Sequence, residues 1–200
     1  MAVKEADTEE IIKETARHIF FVEGKLHATT QDIADAAGVN RALIHYYFRC
    51  REKLFEEVFN EALQVVSSRF HALIISETPF REKISRFIEL MIEQNLKYPY
   101  LESFLITEIN REPSKQLFVI FNEIRSSLLP VMSMGLKEEI RKGNVARMTV
   151  EQFLTNLIAL CAYPTLAKPM MLHFWVMDEK SYQSFIEERK RLIMSVMFKD

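Results

Sequence analysis

Apolar residues recur at helical intervals along most of the chain, and the interruptions mark the element boundaries. Ile12, Ala16, Ile19 and Phe20 keep one face of a helix predicted to begin at Thr8 and end at Gly24, behind a polar, frayed segment over residues 1–7. Two short amphipathic segments follow. Thr29 suits the N-cap of the first, with Asp32 placed to complete a capping box. Ile33, Ala34 and Ala37 give it an apolar side of mostly small residues, and Gly38 supplies the left-handed residue that ends it. Asn40 caps the second. Laid out at about 100° per residue, that second helix gathers Ile44, Tyr47 and Phe48 on one side, with Leu43 at the border. Arg41, Ala42, His45 and Tyr46 fall opposite.

A longer helix from Arg51 to Ile75 carries Leu54, Val58, Ala62, Val65 and Val66 on one stripe. Thr78-Pro79 reads as a cap and a first-turn proline, opening a helix to about Lys97. Tyr98-Pro99 breaks that helix, and Glu112-Pro113 closes the next. An amphipathic run from Ser114 to Lys142 contains Pro130, which is expected to bend or break it, and Gly143-Asn144 ends it. Thr149 and Gln152 form a second capping box, starting a helix to about Tyr163 with Val150, Phe153, Leu154, Leu157, Ile158 and Cys161 in a broad stripe. Pro164 and Pro169 frame an irregular link, and Asp178 caps a last helix with Tyr182, Phe185, Ile186, Leu192, Ile193, Val196 and Met197 at helical spacing. No strand pattern and no internal repeat appears. The expected fold is all-α: a three-helix head with a helix-turn-helix over residues 1–50, and a helical bundle over residues 51–200. The wide stripes of the last two helices fit either the body's own core or pairing with their copies in a four-helix bundle.

Composition narrows the class. Two hundred residues with 48% hydrophobic content can bury one sizeable core, or one core and a satellite. The two cysteines, Cys50 and Cys161, lie far apart with no metal-ligand spacing, so neither a disulfide scaffold nor a metal site is expected. No signal peptide or membrane-length apolar run is seen, so a cytoplasmic location without membrane partners is expected. A net charge of −2 argues at first against nucleic acid. Between Gly24 and Leu54, however, Lys25, Arg41, Arg49, Arg51 and Lys53 outweigh Asp32, Asp35 and Glu52, a local surplus of +2. Phosphate attraction is local and screened by salt, so a small basic rim on a neutral body is compatible with binding, with weak non-specific affinity expected.

The polar side of the second short helix pairs a cation with an imidazole and a phenol, beside small Ala42. Such a surface suits a DNA major groove, where donors meet base edges and a small residue permits close approach; a plain solvated face is the alternative. Thr29-Thr30, Ile33-Ala34, Ala37-Gly38-Val39-Asn40, Ile44, Tyr47-Phe48 and Glu52-Lys53-Leu54 together resemble the DNA-binding head of the tetracycline-repressor (TetR/AcrR) family of bacterial regulators. The resemblance covers roughly the first quarter of the chain. His45 stands where that family most often has tyrosine, Ala42 where glycine is common and Cys50 where serine often caps, which bears on the operator sequence rather than the docking mode.

The resemblance implies a ligand-responsive repressor, a homodimer with two recognition helices in successive major grooves of a palindromic double-stranded DNA operator. Arg41, Ala42, His45 and Tyr46 are expected at base edges and Arg51 and Lys53 at phosphates, with Thr30 and Tyr47 added to the phosphate set by the resemblance. The same resemblance favours dimerisation through the helices 149–163 and 178–198, and an effector held among the middle helices. Candidates to line an apolar effector pocket are Phe87, Met91, Phe104, Phe118, Phe121, Met132, Phe153 and Trp175, with Gln94, Asn122 and Asn156 as orienting polar groups. No cofactor is implied. With no glycine-rich phosphate loop, nucleophile elbow or His-Glu-x-x-His, no enzyme signature is present, and the rival reading is a small-molecule-binding helical protein whose head does not act on DNA.

Overall fold

Thr29 and Asp32 close the predicted capping box, the Thr29 hydroxyl accepting from the Asp32 N–H and the Asp32 carboxylate accepting from the Thr29 N–H at 2.7 Å. Local signals of this kind set most of the architecture. A computed structural model describes the backbone of residues 2–111 and 115–199, and the side chains of residues 7–110, 119 and 121–199. Every element among the described residues is a helix: α1 (Ala2–Phe21), α2 (Thr30–Ala37), α3 (Arg41–Phe48), α4 (Arg51–Ile75), α5 (Phe80–Lys97), α6 (Leu101–Arg111), α7 (Lys115–Lys142), α8 (Val150–Leu166), α9 (Lys168–Phe174) and α10 (Glu179–Met197).

Two cores form, and α4 runs through both. The first joins Ile12, Ala16 and Phe20 of α1, Ile33 of α2, Ile44 and Phe48 of α3, and Leu54 to Leu63 of α4, but it also takes in Leu101 and Phe104 of α6. The second holds Leu73 and Ile74 of α4 with Ile84, Ile88 and Ile92 of α5, Met132 of α7, Phe153 and Leu157 of α8, and Tyr182 and Ile186 of α10. Glu61 of α4 pins α1 in place, accepting from Lys13 at 2.8 Å and Arg17 at 2.9 Å. The head is thus bolted to the body twice: by the continuous α4, and by α6. At the second joint the Tyr100 N–H donates to the Phe21 carbonyl at 3.1 Å. Its ring lies so close to Gly24, at φ +70°, that any side chain there would overlap it at 2.7 Å.

Several sequence expectations are corrected. α1 begins at Ala2 rather than Thr8, and Pro79 rather than Thr78 occupies the cap of α5, the Thr78 hydroxyl instead accepting from Ser76. Val65 is exposed, while Phe59 and Leu63 share the buried face of α4 with Leu54 and Val58. Neither internal proline ends its helix: α7 continues through Pro130, and α8 continues through Pro164 to Leu166. At Pro164 the reason is visible. Proline withholds the N–H that the Leu160 carbonyl would accept, and the Arg189 Nε of α10 approaches that carbonyl at 3.4 Å in its place. The Pro164 carbonyl in turn accepts from the Tyr182 hydroxyl at 3.1 Å. The expected irregular link is the short helix α9, set at a bend of 69° to α8. No single described helix is long and apolar enough to cross a membrane.

Candidate functional site

The sequence of α3 decides what it shows to solvent. Ile44 and Phe48 are buried against α1, α2 and α4, which turns Arg41, Ala42, His45 and Tyr46 outward; Tyr46 is 66% exposed. Asn40 starts the helix by accepting from the Ala42 N–H at 2.8 Å, and Gly38, at φ +66°, makes the turn from α2. Tyr47 is half-buried and meets Tyr46 edge-on, with ring centroids 5.0 Å apart. The predicted outward face therefore exists as one surface on one short helix.

The predicted phosphate contacts divide. Thr30 is buried and its hydroxyl accepts from the Arg41 Nε at 3.0 Å, so Thr30 orients the arginine that leads α3. Lys53 is exposed, its ammonium 2.6 Å from Glu56, whose carboxylate raises the lysine's pKa. Arg51 departs from the expectation. Its guanidinium donates to the Ala28 carbonyl at 2.8 Å and to the Leu26 carbonyl, and it lies 5.3 Å from the centre of the Phe20 ring. The cation is spent on tying the loop before α2 to the start of α4.

Sequence reading passed over Arg49 as a contact. It closes α3 at φ +67°, a left-handed value unusual for a residue with a side chain, and its N–H donates to the His45 carbonyl at 3.1 Å. The exposed side chain makes no hydrogen bond or ion pair within the described residues. A non-glycine residue kept in a strained conformation next to an exposed surface is a mark of use.

The body contains a cavity of about 260 Å³ bounded by α4, α5, α6, α7 and α8. Of the residues expected there, Phe87, Met91, Gln94 and Phe121 line it. Phe104 and Phe153 do not: they are buried in the first and second cores respectively, as is Met132 in the second. Asn122, Asn156 and Trp175 are exposed, so they orient nothing in the interior. The side chain of Phe118 lies outside the described residues. Residues the sequence did not single out complete the wall, notably Phe70 of α4, Asn95, Tyr98, and Glu102 of α6. Burial pushes the Glu102 carboxyl above the usual carboxylate range, a shift that the neighbouring Asn95 carboxamide partly offsets. The signal that could have found Asn95 and Glu102 is their polarity at helix positions whose neighbours, Ile92 and Leu101, are core.

Helices α8, α9 and α10 leave Ile158, Tyr163, Met170, Phe174, Leu192 and Val196 exposed. Isolated apolar residues on a surface are ordinary; this many on adjoining helices are not.

Residues 12–58 match the family model described as bacterial regulatory proteins, tetR family. Over 111 residues the chain is 29% identical to the HTH-type transcriptional regulator BetI of Agrobacterium fabrum, a match covering 53% of this chain and 54% of that protein. The chain therefore spans about half the length of that curated relative. Among solved structures, a transcriptional regulator of Saccharomonospora viridis in complex with choline superposes with a TM-score of 0.68 at 17% identity, covering 98% of this chain and 100% of that one. The regulator FadR of Bacillus subtilis in complex with stearoyl-CoA superposes with a TM-score of 0.59 at 18% identity, covering 93% and 97%. At these identities the likeness is one of fold.

Proposed function

We infer that this chain, a tetR-type regulator by its head and by its fold, works as a ligand-responsive repressor that holds a palindromic operator as a homodimer. The observation that carries the reading is the α3 surface: four outward residues with donor, acceptor and small character on a helix whose other side is locked by Ile44 and Phe48. Arg41, with its guanidinium aligned by Thr30, reads base edges together with Ala42, His45 and Tyr46. Lys53 and Arg49, both exposed, hold phosphates, with half-buried Tyr47 as a further phosphate contact. Two heads on one dimer must fit one half-site spacing, which converts modest single-head affinity into specificity. The exposed apolar residues of α8 and α10 support a two-fold interface built from those helices, with α9 alongside.

The cavity supports an effector that is small and largely apolar. About 260 Å³ accommodates a compact organic molecule and is far too little for an acyl-CoA. Tyr98, Leu101, Glu102 and Leu105 line the cavity, while Leu101 and the next turn's Phe104 belong to the head core. A molecule that fits better when α6 is displaced would therefore shift the head with it, and only such a difference in affinity between two states moves the equilibrium. The test is a titration of DNA flanking the chain's own gene, followed by fluorescence anisotropy at several salt concentrations. A specific complex saturating at two chains per site supports the reading. Binding no tighter than to random DNA overturns it.

A further inference from the structure

Polar atoms are scarce in the cavity wall, and two of them are left without partners. Gln94 and Asn95 are only 8% and 6% exposed, and their amide nitrogens Nε2 and Nδ2 complete no hydrogen bond, although Asn95 lies near enough to Glu102 to ease its carboxylate. Buried donors in native proteins are nearly always paired, so two adjacent unmet ones facing a cavity mark where an acceptor atom is missing. Glu102 lines the same cavity, next to Asn95, and offers a carboxylate. The rest of the wall is mostly apolar and partly aromatic, with Phe70, Phe87 and Phe121.

Resting on the reading of this cavity as the effector site, we propose that it takes a small, uncharged aromatic molecule with a single hydroxyl head, a substituted phenol or benzylic alcohol. The hydroxyl oxygen accepts from Gln94 Nε2 and Asn95 Nδ2, and its hydrogen is donated to the Glu102 carboxylate. Other head groups fail on one side or the other. A hydrocarbon leaves both amides unmet. A carboxylate satisfies the amides but brings a second negative charge against Glu102. An ammonium group satisfies Glu102 but turns its hydrogens toward two donors. Only a group that both accepts and donates completes the set, and the aromatic walls suit a ring behind it.

Calorimetric titration of the full chain with 4-ethylphenol, ethylbenzene, 4-ethylbenzoate and 4-ethylbenzylammonium tests the head chemistry at constant ring size. The phenol is expected to bind at least tenfold more tightly than each of the other three. Gln94→Leu and Asn95→Leu, checked for folding by circular dichroism, should each weaken the phenol at least fivefold and leave ethylbenzene unchanged or tighter. Benzoate or ammonium binding as well as the phenol, equal phenol binding by all three proteins, or no binding of the phenol overturns the proposal. Met91→Trp, which fills the cavity, separates the two levels of the argument. If a probe other than the phenol is preferred and this variant abolishes its binding, the cavity remains the effector site and only the head chemistry falls. If a bound probe is indifferent to it, the site itself is wrong.

Discussion

Arg41 at the start of α3 donates through Nε to the Thr30 hydroxyl at the start of α2, at 3.0 Å. One hydrogen bond thereby ties the two helices of the turn together while Arg41 itself stays exposed. Removing the arginine, Arg41→Ala, should cost about 1–3 kcal/mol of operator binding and flatten discrimination at one base position. Thr30→Val keeps the volume but removes the acceptor, and should give a smaller loss, several-fold in affinity, with the same base position affected. Equilibrium binding to operator variants checks both; a Thr30→Val loss spread evenly over all sequences contradicts the positioning role.

Lys53 and Arg51 sit two residues apart on α4 yet should behave differently. Lys53→Ala should weaken all DNA alike and reduce the salt slope by about one, with no change in stability. Arg51→Ala should instead destabilise the head, since the carbonyls of Leu26 and Ala28 lose a charged donor and Phe20 loses its cation. The expected loss is about 2 kcal/mol, read by urea unfolding.

Arg49 sets stability against binding. At φ +67° its backbone favours glycine, so Arg49→Gly should raise stability by up to about 1 kcal/mol while weakening DNA binding through the lost cation. Unfolding curves and a DNA titration on the same preparation decide it; a variant that is less stable than the native chain speaks against the strain.

Glu102 gives a pH dependence. Its carboxyl is raised in the folded chain, chiefly by burial, so the folded state holds that proton more tightly than the unfolded state. Ionised Glu102 therefore weakens the fold above the folded pKa, and the penalty disappears as pH falls below the ordinary carboxyl value. Glu102→Gln should be more stable than the native chain near neutral pH, with the difference shrinking toward about pH 4. Paired urea titrations across that range measure it, and a constant difference refutes the assignment.

Val196 is 68% exposed on α10, and Leu192 on the same helix 43%. Leu192→Glu with Val196→Glu should leave each chain folded but convert a dimer to a monomer, visible by light scattering, and should weaken operator binding at least tenfold through the loss of the second head.

By itself, the sequence determined the local features. Caps at Thr29, Asn40 and Asp178, the left-handed Gly38 and the apolar spacing of Ile44 and Phe48 act within one or two turns, so the helices and the outward face of α3 could be read from them. What depended on neighbours distant in sequence could not. Arg51 looks from the chain like a phosphate ligand at a helix start, and only the approach of Leu26 and Ala28 shows its charge already taken. Pro164 looks like a break, until Arg189 from α10 supplies a donor to Leu160. Phe104, Phe153, Phe87 and Phe121 are equally apolar, and periodicity assigns each a face without saying what that face meets. The packing of α4 through α8 put Phe87 and Phe121 on a cavity and left Phe104 and Phe153 in solid core, because space between helices is a property of all of them together.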